Sequence, residues 1–126
     1  MKFLVVICLT LLICAPSTLK AQTSQQRNPP SFNAFFVKFK AAVARNDKEA
    51  VAAMTKLPFL FDSEERDREG FIKIYDQLFT RSVKRCFSRE KPLKEGDMYE
   101  IFCGETIFLF GRVDGEYKFV EIGAND

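Results

Sequence analysis

The apolar residues of this chain change period once, near residue 98, and that change limits the fold more than any other feature. Upstream, apolar side chains recur every three or four residues, the spacing of one helix face. Downstream they alternate, the spacing of one strand face. Helices first and an antiparallel sheet afterwards define an α+β domain with helices packed on the sheet.

The helical part contains four apolar stripes. Ser31 is placed to cap a helix whose apolar face is Phe32, Phe35, Phe36, Phe39 and Val43. Asn46 and Glu49 have the spacing of a capping box ahead of Ala50, Val51, Ala53 and Met54, with Pro58 expected to end that helix. After a short apolar run, Phe59–Phe61, the charged stretch Asp62–Glu69 reads as a solvated connection. Its resemblance to a calcium loop fails, because Arg66 takes a ligand position and Asp67 the place of the turn glycine. Phe71, Ile74, Tyr75, Leu78 and Phe79 mark the strongest helix, with Asp67 and Glu69 at its positive end. Thr80 caps a last one carrying Val83, Cys86 and Phe87. In the period-two region, Tyr99, Ile101 and Cys103 share a face against Met98, Glu100 and Phe102. The run Thr106–Val113 follows, and Asp114-Gly115 predicts a tight hairpin. The return strand is expected to alternate strictly, with Tyr117, Phe119 and Glu121 opposite Lys118, Val120 and Ile122.

The first residues have a different organisation. Met1-Lys2 is basic, Phe3–Ala15 is apolar apart from Thr10, and Ala21 is a small residue after the break at Pro16. That order is expected of a cleaved secretory signal, and the run is shorter than the ~20 residues a membrane-spanning helix needs. The expected organisation is a signal peptide at 1–21, an extended leader at 22–30 ending in Pro29-Pro30, and one domain at 31–126, with no transmembrane segment in the mature chain. Removing Lys2 and Lys20 leaves 17 basic and 17 acidic side chains, so net charge gives no reason to expect nucleic acid as a partner. Removal also takes Cys8 and Cys14. Cys86 and Cys103 remain, and in an oxidising compartment such a pair is expected to form a disulfide.

The chain has no histidine, which excludes Ser-His-Asp triads, Cys-His dyads and histidine metal sites. No catalytic residue, metal or cofactor is assigned. Three constellations could carry chemistry. Arg81, Lys84 and Arg85 share a helix face within the basic stretch 81–94, a candidate anion site. Tyr75, Tyr99 and Tyr117, with Asp62, Asp76, Glu100 and Glu121, could supply proton transfer if a phenol and a desolvated carboxylate met in a pocket. The 17-residue spacing of the cysteines matches no zinc or redox motif. Finally, Phe32, Phe36, Phe71, Phe79, Phe102, Phe108, Phe110 and Phe119 offer more aromatic volume than two thin layers need, so part of it is expected to line a cavity.

The segments FFVKFKAAVARNDKEAVAAMTKLPFLFDS, FIKIYDQLF, YEIFCG and RVDGEYKFVEI, taken in order, resemble small exported bacterial proteins of the nuclear transport factor 2-like superfamily. Gly115, Tyr117 and Lys118 stand where the closing hairpin of that superfamily has Gly, an aromatic and Lys. The resemblance implies a cystatin-like cone of helices around a curved sheet, whose mouth can hold a ligand. It carries over no catalytic residue. The expected function is an exported, secreted or periplasmic, non-catalytic domain binding a small apolar ligand or a protein partner. The alternatives are an isomerase- or cyclase-type enzyme using Tyr and a carboxylate, and an envelope-surface protein binding anions through residues 81–94.

The export reading has a direct check. Sequencing the N-terminus of protein recovered outside the cytoplasm should begin at Gln22 or Thr23, whereas an intact Met1 on a soluble cytoplasmic product would refute it.

Overall fold

Ser31 opens the first helix by accepting the Ala34 N–H at 3.3 Å, as its position before the phenylalanine stripe predicts. The computed structural model describes residues 30–125. The expected signal peptide at 1–21 and residues 22–29 of the expected leader lie outside them. Helix α1, Phe32–Ala44, buries Phe32, Phe35, Phe36, Phe39 and Val43. Its end corrects the expected cap. Asn46 takes a left-handed conformation, its N–H donates to Val43 O, and the Asp47 N–H donates to Ala42 O. This is the Schellman arrangement that closes a helix C-terminus. Asn46 therefore terminates α1. Asp47 caps α2, Lys48–Ala53, by accepting the Ala50 N–H, so no capping box with Glu49 exists. That same bond, with Arg45 nearby, holds the Asp47 carboxyl below its ordinary value of 3.8.

Pro58 is not what ends α2. The backbone leaves the helix after Ala53 and is captured by a strand: Met54 O accepts the Phe119 N–H and the Lys56 N–H donates to Phe119 O, both at 2.8 Å. Strand β1, Phe59–Phe61, then pairs with β2, Glu64–Arg66, which replaces the expected solvated connection. Asp62 and Ser63 both have positive φ, the conformation of a two-residue hairpin turn. Asp67 caps α3, Arg68–Leu78, through the Gly70 N–H, and the whole predicted stripe from Phe71 to Phe79 is buried. Thr80 caps α4, Arg81–Arg89, which buries Phe87.

The remaining chain is an antiparallel meander in the order β3 (Leu93–Glu95), β4 (Met98–Cys103), β5 (Thr106–Val113) and β6 (Glu116–Ala124). Each connection is a two-residue turn: Gly96-Asp97, Gly104-Glu105 and Asp114-Gly115. Gly96, Gly104, Asp114 and Gly115 have the positive φ these turns require. The helices cover one face of the sheet. Ile101, Phe108, Phe110 and Phe119 project into it and are fully buried.

Two expectations about the sheet need correction. Strict alternation on β6 fails because the pairing register shifts between Leu109 and Phe110, leaving Val120 as an extra residue between Phe119 and Glu121. A bulge of this kind moves every later side chain to the other face. Phe119 pairs with Phe110 on the inner face, while Ile122, not Glu121, pairs inward with Phe108. Phe102 is 36% exposed on the outer face and contributes nothing to the interior.

Cys86 of α4 and Cys103 of β4 are disulfide-bonded, with Cα atoms 5.7 Å apart. The bond ties the helical layer to the sheet. In the chain-entropy account, closing a loop of this length contributes about 3 kcal/mol by restricting the unfolded chain. Cys103→Ser should lower unfolding free energy by about 2–5 kcal/mol in denaturant titration, and the unreduced protein beginning at residue 22 should show no titratable thiol after denaturation.

Candidate functional site

Most of the aromatic volume fills the interior. Phe39, Phe79, Phe87, Phe108, Phe110 and Phe119 have relative exposures of at most 1%, and their ring centroids lie 5.0–6.4 Å apart in a mesh of edge and tilted contacts. The expected phenylalanine-lined cavity is replaced by packed rings. An open concavity lies instead at the end of the inner sheet face, just past the start of α1.

This cleft, about 530 Å³, is lined by Lys94, Asp97, Met98, Tyr99, Arg112 and Tyr117. Register brings these residues together. Lys94 pairs directly with Tyr99, and Arg112 with Tyr117, so each pair shares a face. Phe32, the first residue of α1, stacks on Tyr99 with centroids 3.7 Å apart and meets Tyr117 edge-on at 5.4 Å. The two tyrosine rings are thereby held 5.9 Å apart, nearly perpendicular. The Arg112 guanidinium lies 4.9 Å from the Tyr117 ring centroid, within cation–π range. Among the described residues neither Arg112 nor Lys94 forms an ion pair. Two cations over an aromatic wall can receive an anionic group, and a stacked arginine presents its N–H fork to a carboxylate or phosphate.

The tyrosine–carboxylate constellation comes apart. Tyr99 and Tyr117 meet at the cleft, but Glu100 and Glu121 both pair with Leu109 on the outer face of the sheet. Asp62 sits in the β1–β2 turn, and Asp76 is exposed with Lys48 Nζ at 2.9 Å. Among the described residues, the carboxylate lining the cleft is Asp97, exposed on the β3–β4 turn. Lys94 and Arg112 were not singled out as a pair in the sequence, where 18 residues separate them. The turns Gly96-Asp97 and Asp114-Gly115, which bring both strand ends to one edge of the sheet, are the signal that could have found them.

On α4, Arg81 and Arg85 are exposed and Lys84 is half-buried. Lys94 does not join them, because β3 carries it to the cleft on the inner sheet face. Lys118 has a structural role, donating to Ala53 O at 2.8 Å and so holding the end of α2 to β6. Among the described residues no helix is long and apolar enough to cross a membrane. Comparison with protein-family models, curated proteins and solved structures finds no match.

Tyr75 stands apart from the cleft. It is fully buried, its ring lies 4.8 Å from that of Phe79, and its hydroxyl has no hydrogen-bond partner. Burial, followed by the negative charges of Asp76 and Asp47, pushes its pKa up from 10 to about 12. The unfolded phenol ionises near 10 while the folded one retains its proton, so this contribution is present below pH 10 and is lost as pH rises from about 10 to 12. Monitoring phenolate absorbance should show one tyrosine ionising only near pH 12 or together with unfolding, and Tyr75→Phe should remove that step.

Proposed function

We propose that this protein is an exported, non-catalytic binding domain that takes an anionic small molecule at the Tyr99–Tyr117 cleft. The observation that carries the proposal is the placement of Arg112 and Lys94, without acidic partners among the described ion pairs, beside two tyrosine rings at an open concavity of about 530 Å³. The packed interior favours a ligand held at this edge over an apolar one held within the core. An acid–base enzyme would need a desolvated carboxylate near a tyrosine, and the cleft's Asp97 is exposed.

The order of charge, apolar run and small residue in 1–21 supports export, as does a disulfide suited to an oxidising compartment. The proposed fold assignment is to the nuclear transport factor 2-like superfamily. Helices on one face of a four-stranded meander support it, together with the hairpin carrying Gly115, Tyr117 and Lys118.

Benzoate, glucuronate and inorganic phosphate, with uncharged benzamide as control, test the cleft by thermal shift. At least one anion should raise Tm in proportion to the logarithm of its concentration above saturation, with stabilisation of about 2.7 kcal/mol at one hundred times Kd. Arg112→Gln should abolish the shift and Tyr117→Leu should weaken it. An equal shift with benzamide, or one that survives Arg112→Gln, would disprove anion binding at this cleft.

A further inference from the structure

The outward side of α1 is built unlike its phenylalanine side. It exposes Ala34, Val37, Lys38, Ala41, Ala44 and Arg45, with Val37 64% exposed. On either side of this ridge runs a groove. The one between α1 and α4, about 370 Å³, has Ala41, Ala44 and Phe87 along it, with Val37, Lys40 and Lys84 at its edges. The one between α1 and α2, about 450 Å³, shares Val37 and Ala41 and adds Met54. Every charged side chain lining either groove is a cation: Lys40 and Lys84 in the first, Lys38 and Arg45 in the second. Arg45 is paired with Asp47 at 3.2 Å, but Lys40 and Lys84 have no ion-pair partner among the described residues. Arg81 and Arg85 extend the same charge along α4.

Shape and charge together select an occupant. Alanines on a helix let a second backbone approach closely, and two neighbouring helices leave a furrow into which the side-chain ridge of a third packs. From Val37 to Ala44 this furrow is about 10 Å long, roughly two helical turns. Its apolar floor matches the apolar edge of an amphipathic helix, and its cationic rim matches carboxylates flanking that edge. A lipid surface, being flat, would meet the Val37 ridge and leave the concave floor uncovered. On the sheet, Glu95, Glu100 and Glu121 lie on the outer face, away from this groove. Lys40 and Lys84, without ion-pair partners among the described residues, attract an acidic partner to the groove itself.

We propose that the α1–α4 groove docks an acidic amphipathic helix of a protein partner, with its apolar edge over Val37, Ala41 and Ala44 and its carboxylates on Lys40 and Lys84. This site is separate from the Tyr99–Tyr117 cleft.

The test uses the mature protein with its disulfide intact and three fluorescein-labelled 16-residue peptides, read by fluorescence anisotropy. All carry leucines at helical positions i, i+3, i+4 and i+7, flanked by Glu, Gln or Lys. Phosphatidylcholine vesicles containing phosphatidylglycerol are the lipid probe. The Glu peptide should bind, losing at least tenfold in affinity between low salt and 0.5 M salt, and the Lys peptide should not. Lys40→Glu with Lys84→Glu, or Ala41→Glu alone, should weaken the Glu peptide at least tenfold without changing the circular dichroism spectrum. If the double variant does not fold, Lys84→Glu alone should weaken it at least threefold. Arg112→Gln should leave binding intact, which separates failure here from failure of the cleft. No binding of the Glu peptide at 1 mM, equal binding of all three peptides, or undiminished binding by the groove variants would overturn the proposal. So would groove-dependent binding of the vesicles alone, which would make the surface a lipid site.

Discussion

Phe119 is the point at which the two layers are joined, and the rest of the structure depends on its contacts. Its ring lies 5.0–5.9 Å from those of Phe39 on α1, Phe59 on β1, Phe79 at the end of α3, and Phe108 and Phe110 on β5. Its backbone forms the two hydrogen bonds that draw residues 54–56 away from α2 and onto the sheet. Each ring contact adds roughly 0.5–1.5 kcal/mol beyond area burial, so a single residue gathers an unusual share of the packing. The adjacent bulge at Val120 belongs to the same solution. It lets Phe119 face inward without carrying Glu121 in after it, and it brings Ile122 to the core in place of a carboxylate whose burial would require a partner.

A filled interior determines where chemistry is available. Interiors pack at the density of organic crystals, and here phenylalanine supplies the volume that could otherwise enclose a ligand. Open concave surface is left at the edges of the two layers. At one edge the strands outrun the helices, and Phe32 props Tyr99 and Tyr117 beside Arg112 and Lys94. On the far side of the helices, the small residues of α1 leave grooves that the core does not use. The disulfide between α4 and β4 supports both regions by holding the helical layer in register with the sheet.

The helices could be read in advance because their determinants are local. Ser31, Asp67 and Thr80 act within three residues of themselves, and the stripes of α1 and α3 repeat at a fixed spacing. The Asp114-Gly115 hairpin is local in the same way. The second cap was misplaced because Asn46 and Asp47 are both good capping residues. The choice between them was made by the end of α1, which needs a left-handed residue to close it.

Residue order by itself determined the class of fold and the faces of α1 and α3, and it led to the expectation of the Cys86–Cys103 disulfide that the structure contains. All of these follow from periodicity, from neighbouring backbone groups or from simple pairing. Only the tertiary structure decided that the phenylalanines close the interior, that Val120 bulges, and that Lys94 and Arg112 converge on Tyr99 and Tyr117 while Glu100 and Glu121 turn away. The reason is that strand residues reach a face through register, and a shift of one residue reverses that face. Register is set by turns and long-range contacts that no local window contains, so the positions of the helices were written in the sequence and the position of the site was not.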